Sequence, residues 1–286
     1  MILIGPEKYM NVLQNNVPDV VISSCILERY ISDGKNCHVK LLNNENVNKE
    51  LSNKGKSRYI GIILLDEPSN DLQDFQHSKI PIISLKYSEN NNLKYILPNP
   101  SYIGALSAQS MVQYGYNNIY YIESCFNKYF SLMKDSFTNC INNLPASTVD
   151  CKILKIPEKE DNDFRLIRKN ILSNKTRSNG LFFDSLHQST EFISNVNFND
   201  KSISKSLGIL AYDHLTEIKD KTTISISCIS PDLKMLVLEA LKCFRHKTKT
   251  NFLNNLNGKY IDTAVLFSGM TTRKTINQKG LAVKDI

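Results

Sequence analysis

Short runs of β-branched and apolar residues alternate along this chain with helix-length amphipathic segments, and that alternation constrains the fold more than any other feature. Parallel strands need long crossovers, usually helical, so the pattern predicts an α/β fold with parallel sheets covered by helices. Strands are expected over residues 19–23, 37–42, 59–65 and 81–85, then over 118–123, 149–156, 180–184 and 207–212. Those of the first set are β-branched and apolar throughout, as strands buried on both faces should be. Two more are expected at 222–227 and 263–268. Helices are expected at 26–32, 47–51, 101–114, 130–142, 164–172, 187–195 and 231–244. Gly115 supplies a left-handed C-cap for the helix before it. Ser230 as N-cap and Pro231 in the first turn mark the start of the helix at 231. The opening stretch 1–16 reads as an extra strand and helix.

With 286 residues the chain exceeds one simple core and suits two lobes. Its hydrophobic share of 41% supports a sizeable core, yet no run approaches the ~18 apolar residues of a membrane span. Residues 1–14 lack a basic n-region, a long apolar stretch and a small-residue cleavage site, so the expected location is the cytoplasm, with no membrane partner. The seven cysteines show no C-x-x-C spacing and the five histidines no cluster, which predicts reduced thiols and no metal. The net charge of +7 is spread along the chain, and its densest run, residues 245–249, reads as a solvated loop after a helix. No Walker A loop or G-x-G-x-x-G is present. His214 follows Asp213, but no nucleophile accompanies the pair, so neither an enzyme nor a cofactor is expected.

From Ile80 onward the segments resemble, in order, the effector-binding domains of lac-repressor-type regulators. Ile80-Pro81-Ile82-Ile83 is similar to the family's I-P-V-V strand. Residues 95–116, with Asn99, Pro100, Gly104-Ala105 and Gly115-Tyr116, resemble its strand, Asp-Asn pair, Gly-Ala and Gly-terminated helix. Residues 130–137 sit where the family has an Arg-x-x-Gly-Phe helix, 207–213 resemble its V-x-V-x-G-x-D strand, and 222–241 its next strand and helix. Thr272-Arg273-Lys274-Thr275 followed by Gly280-Leu281-Ala282-Val283-Lys284-Asp285 resembles the extension of the xylose-operon-regulator branch. In that branch an AraC-type helix-turn-helix pair follows the sensor.

The resemblance implies the periplasmic-binding-protein type I fold: two Rossmann-like lobes joined by three crossovers, with the ligand in the cleft. Lobe one would hold 1–116 and 229–258, and lobe two 117–228 and 259–286. It also implies a homodimer whose ligand, a sugar, changes the lobe angle and hence an interface. The helices at 231–244 and 101–114 are the candidate interface elements. DNA would be reached only through a helix-turn-helix segment that this chain does not contain. Two rival readings are a free-standing solute-binding protein of the same fold and a non-sensing dimerisation remnant.

Site candidates follow from the same resemblance. Asp213, past the strand at 207–212, falls on the Asp that accepts hydrogen bonds from sugar hydroxyls; a carboxylate offers the lone pairs for such contacts. Asp184 or Ser185 ends the strand at 180–184 where the family faces an Asp or Asn to the ligand; either could instead cap the next helix. Ser23 and Ser24 end the first strand and could offer hydroxyls to the ligand or cap the next helix, and Asn99, where the family has Asp, could hydrogen-bond the ligand or organise the Asn-Pro turn. Met133 stands at the family's sugar-clamping Arg, and a thioether cannot donate to a hydroxyl. Phe126 and Tyr129 nearby could stack on a sugar face, while Met133 could simply pack its helix.

Overall fold

The computed structural model describes residues 2–4, 40–42, 61–64, 81–87, 94–124, 126–144, 149–156, 164, 178–195, 207–212, 226–245, 258–268 and 283–285. The expected strand at 19–23 and the expected helices at 26–32 and 47–51 lie outside them, as does all but residue 164 of the helix expected at 164–172. The chain divides into two compact units, Met1–Leu97 with Asp232–Ile261 and Pro98–Pro231 with Asp262–Ile286.

The first unit carries a six-stranded sheet built from β1 (Ile2–Ile4), β2 (Lys40–Leu42), β3 (Ile62–Leu64), β4 (Ile82–Ser84), β5 (Lys94–Pro98) and β11 (Lys259–Ile261). Its order is β11-β5-β4-β3-β1-β2, and β1 runs parallel to both neighbours, Ile2 facing Lys40 on one side and Ile62 on the other. The opening residues therefore supply an interior strand of the sheet rather than an appendage to it. The helix Leu233–Arg245 seals one face with Leu236, Val237, Ala240, Leu241 and Phe244, packed on Ile63, Ile83, Leu85 and Ile96. Each of the Leu, Val, Ile and Phe side chains gives roughly 1.5–3 kcal/mol on burial. The helix begins two residues later than expected. Its cap is Asp232, whose Oδ1 accepts from the Met235 amide at 3.2 Å and whose carbonyl takes the Leu236 amide. Ser230 is not the cap, because it is still the last residue of a strand.

The second unit carries β6 (Asn118–Glu123), β7 (Asp150–Lys155), β8 (Asn179–Phe183), β9 (Leu207–Tyr212), β10 (Ser227–Ser230), β12 (Val265–Ser268) and β13 (Val283–Asp285) in the order β13-β12-β10-β9-β8-β6-β7. All the pairings run parallel except β10 with β12. Strand β10 begins only at Ser227, the last residue of the strand expected at 222–227, and runs on to Ser230; residues 222–225 lie outside the described ones. Strand β13 lies in the stretch that resembles the xylose-regulator extension and pairs Val283 with Leu266.

Alternation places Tyr120, Ile122, Leu181, Phe183, Ile209 and Ala211 on one face, where Phe192 and Ile193 of the helix Leu186–Asn195 cover them. On the other face Tyr121, Phe182 and Phe137 form a tight aromatic group, with Phe137 stacked on Phe182 at 5.2 Å. We label the described helices α1 (Pro100–Gln113), α2 (Lys128–Asn142), α3 (Leu186–Asn195) and α4 (Leu233–Arg245). Helix α1 ends at Gly115, whose φ of 77° is the left-handed conformation expected there. It packs on α2, with Ser136 Oγ donating to the Ser101 carbonyl at 2.7 Å, and so stands with the second unit. The sequence boundary at 116/117 was drawn beyond it. None of the described helices is long and apolar enough to cross a membrane.

Candidate functional site

Ligands of open parallel sheets bind outside the carboxyl ends of the strands, at the point where the chain reverses its direction of winding. In the second unit that point lies between β6 and β8: the chain passes from β6 outward to β7, then returns to β8 on the other side. Two residues meet there. Both carboxylate oxygens of Asp184 accept from the Ser124 amide, at 3.0 and 3.1 Å, and the Ser124 hydroxyl donates to the same carboxylate. Asp184 is 1% exposed, so this charge is held by fixed donors rather than by bulk water. The parallel register, Ile122 opposite Phe183, is what brings the two strand ends level.

Ser185 has a different task. Its carbonyl takes the Ser189 amide at 3.2 Å and its hydroxyl the Gln188 amide at 3.5 Å, so it caps α3. Of the two residues offered for this position, Asp184 holds the strand end and Ser185 starts the helix. Asn99 also caps: its Oδ1 accepts from the Ser101 amide at 3.1 Å, while its Nδ2 donates to Asp262 Oδ1 at 2.6 Å.

The aromatic candidates separate by exposure. Phe126, in the turn between β6 and α2, is 46% exposed and presents a ring beside the Ser124–Asp184 pair in sequence. Tyr129 is fully buried, its hydroxyl donating to the Pro98 carbonyl at 3.1 Å and lying 3.2 Å from the Tyr212 hydroxyl. Met133 is fully buried as well. With Tyr129, Phe137 and Ile141 it forms a stripe at four-residue spacing, the buried face of α2. Asp213 and Ser24 lie outside the described residues.

Sequence reasoning missed Glu123 and Ser124. Glu123, the last residue of β6, is 6% exposed; its Oε1 accepts from Lys134 of α2, and Lys155 stands 3.9 Å from Oε2. Its signal was a lone acid closing an otherwise uncharged strand. Among the described residues no group of three His, Cys, Asp or Glu could hold a metal. Burial pushes the thiols of Cys140 and Cys243 up, and that of Cys151 to about 11 with the Asp150 carboxylate adding to the effect. Raised thiols make poor nucleophiles at neutral pH. The carboxyl ends of β6 and β8 thus hold a buried carboxylate fixed by Ser124, with the exposed Phe126 ring two residues further along the chain.

Two α/β lobes with parallel sheets, wound in this order, define the periplasmic-binding-protein type I fold. Among solved structures the chain is similar to a periplasmic binding protein/LacI transcriptional regulator from Alkaliphilus metalliredigens complexed with D-xylulofuranose, at 14% identity and a TM-score of 0.56, over 96% of this chain and 99% of that one. It is similar to the periplasmic binding ribose operon repressor protein from Lactobacillus acidophilus, at 16% identity and 0.59, over 96% and 98%. A LacI family transcriptional regulator from Mycobacterium smegmatis aligns at 13% identity and 0.61, over 95% and 98%. No family model matches the sequence, and no curated protein matches it.

Proposed function

We propose that this chain is the sensing domain of a bacterial transcription regulator and that it binds a sugar or closely related polyol. The observation that carries the reading is the Ser124–Asp184 pair, a buried and fully oriented carboxylate at the winding reversal of the second sheet. That pair fixes the strand ends at the place where open parallel sheets take their ligands. Asp213 follows β9 directly and supplies a second carboxylate, and Phe126 supplies a ring for the apolar face of a sugar. One of the similar structures is described with a bound pentulose and another as a ribose operon repressor, which fits a small sugar. We place the chain in the xylose-operon-regulator branch because its C-terminal stretch resembles that branch's extension. Met133 removes the guanidinium of that family, so the ligand is held by carboxylates and an aromatic ring instead.

Sensing works by population shift: the ligand favours one arrangement by no more than its differential affinity for the two. A homodimer would carry that shift to a DNA-reading segment outside this chain, and the protein acts in the cytoplasm and performs no chemistry. The rival reading is a dimerisation remnant that senses nothing, and Met133 is the observation that favours it.

A thermal-shift screen against pentoses, hexoses, their phosphates and sugar acids decides between the two. A ligand that binds only the folded state adds about 2.7 kcal/mol at about 100 times its Kd. Stabilisation that disappears in Asp213→Ala is the expected result. Silence across the panel would overturn sensing of sugars.

A further inference from the structure

The chain passes between its two units at 97/98, 231/232 and 261/262, and the described residues tie two of these crossings to one strand end. A tyrosine hydroxyl has one proton to give. Tyr129 gives its proton to the Pro98 carbonyl, the first residue after the first crossing. The 3.2 Å contact between the Tyr129 and Tyr212 hydroxyls must therefore be Tyr212 donating to Tyr129. Phe130 fixes both rings edge-on, 5.3 Å from Tyr129 and 6.3 Å from Tyr212. Next to Pro98, Asn99 donates to Asp262, the first residue after the third crossing, at 2.6 Å. The result is one directed run of polar contacts, from the end of β9 through α2 to the first crossing and on to the third.

We propose that Tyr129 is a positioning residue of a clamp that fastens two of the three crossings to the carboxyl end of β9. The proton order gives the clamp a direction, because the Tyr129 proton is committed to the Pro98 carbonyl. Both tyrosines are buried, so no water replaces a lost partner cheaply. The clamp's use in regulation rests on the sensing reading above: Tyr212 is one peptide bond from Asp213, so a load on that carboxylate reaches both crossings through the hydroxyl run. Its existence does not rest on that reading.

Amide hydrogen exchange on the ligand-free protein tests it. Tyr129→Phe keeps the ring and deletes the hydroxyl; Phe192→Leu, in the core under α3, serves as a control for general loss of stability. Exchange in peptides covering 97–103 and 259–264 should quicken roughly tenfold in Tyr129→Phe relative to the control matched for global stability. Tyr212→Phe, which leaves the bond to Pro98, should fall between. Equal exchange in Tyr129→Phe and the control would overturn the clamp, whatever the sugar panel shows. Faster exchange beside a silent panel would keep the clamp and sink the sensing reading.

Discussion

Gly104 of α1 lies so close under the Met133 carbonyl of α2 that a Cβ on it would stand 2.1 Å from that oxygen. The obstacle is backbone, so no side chain can turn aside to make room. Gly104→Ala should therefore destabilise the second unit by about 1–3 kcal/mol, the usual cost of overpacking, despite the better helix propensity of Ala. Urea unfolding checks this, and a neutral or stabilising result would contradict the close packing of α1 on α2.

Asp184→Asn puts an amide where two oxygens now accept from Ser124. One of the two acceptors becomes a donor facing a donor, in a site closed to water. A loss of about 1–3 kcal/mol is expected. Ser124→Ala, which keeps the amide donor, should cost less. If the panel yields a sugar, Asp184→Asn should weaken its binding beyond what the stability loss accounts for.

The helix cap distinguishes the structure from the sequence pattern. Asp232→Ala should cost about 1 kcal/mol, because the Met235 amide loses its acceptor. Asp232→Ser should recover most of it. Thermal melts of the two variants decide the matter.

Acid should weaken the first unit through Glu239. Burial raises its pKa, but the hydrogen bonds and charges of Lys242 and Lys259 outweigh that and leave it lowered. A carboxylate lowered on folding stabilises above its unfolded pKa and loses that contribution as pH falls through the folded value. With two lysines at the surface the contribution is at most about 1 kcal/mol, reduced further by salt. Glu239→Gln should flatten the fall in stability below about pH 4.3. An unchanged acid limb would refute it.

The central strands of the second unit were legible because they are buried on both faces: 118–123 and 207–212 have the bounds read from the pattern. Helix ends were less so. Asn127 caps α2 two residues before the apolar periodicity begins, since a cap is polar by nature. Strand β11, Lys-Tyr-Ile with two exposed residues, carries no burial signal to read. The same holds for the site. Asn99, Asp184 and Ser185 could be named from strand ends, but Ser124 is bonded to Asp184 across 60 positions, a pairing only the β6–β8 register creates. Helix packing was one of the two readings open for Met133, whereas Tyr129 was read only as a ring for the ligand, because four-residue spacing alone does not say which face meets the sheet.

The two units are each stitched from separated stretches, and this sets an order of events during synthesis. Residues 98–231 hold most of the second sheet and leave the ribosome as one continuous piece. The first sheet emerges earlier yet must wait for α4, more than a hundred residues downstream, before Ile63, Ile83, Leu85 and Ile96 are covered. The older half of the newborn protein is thus the later to mature, and its bare apolar strands are the stretch that chaperones would have to shield.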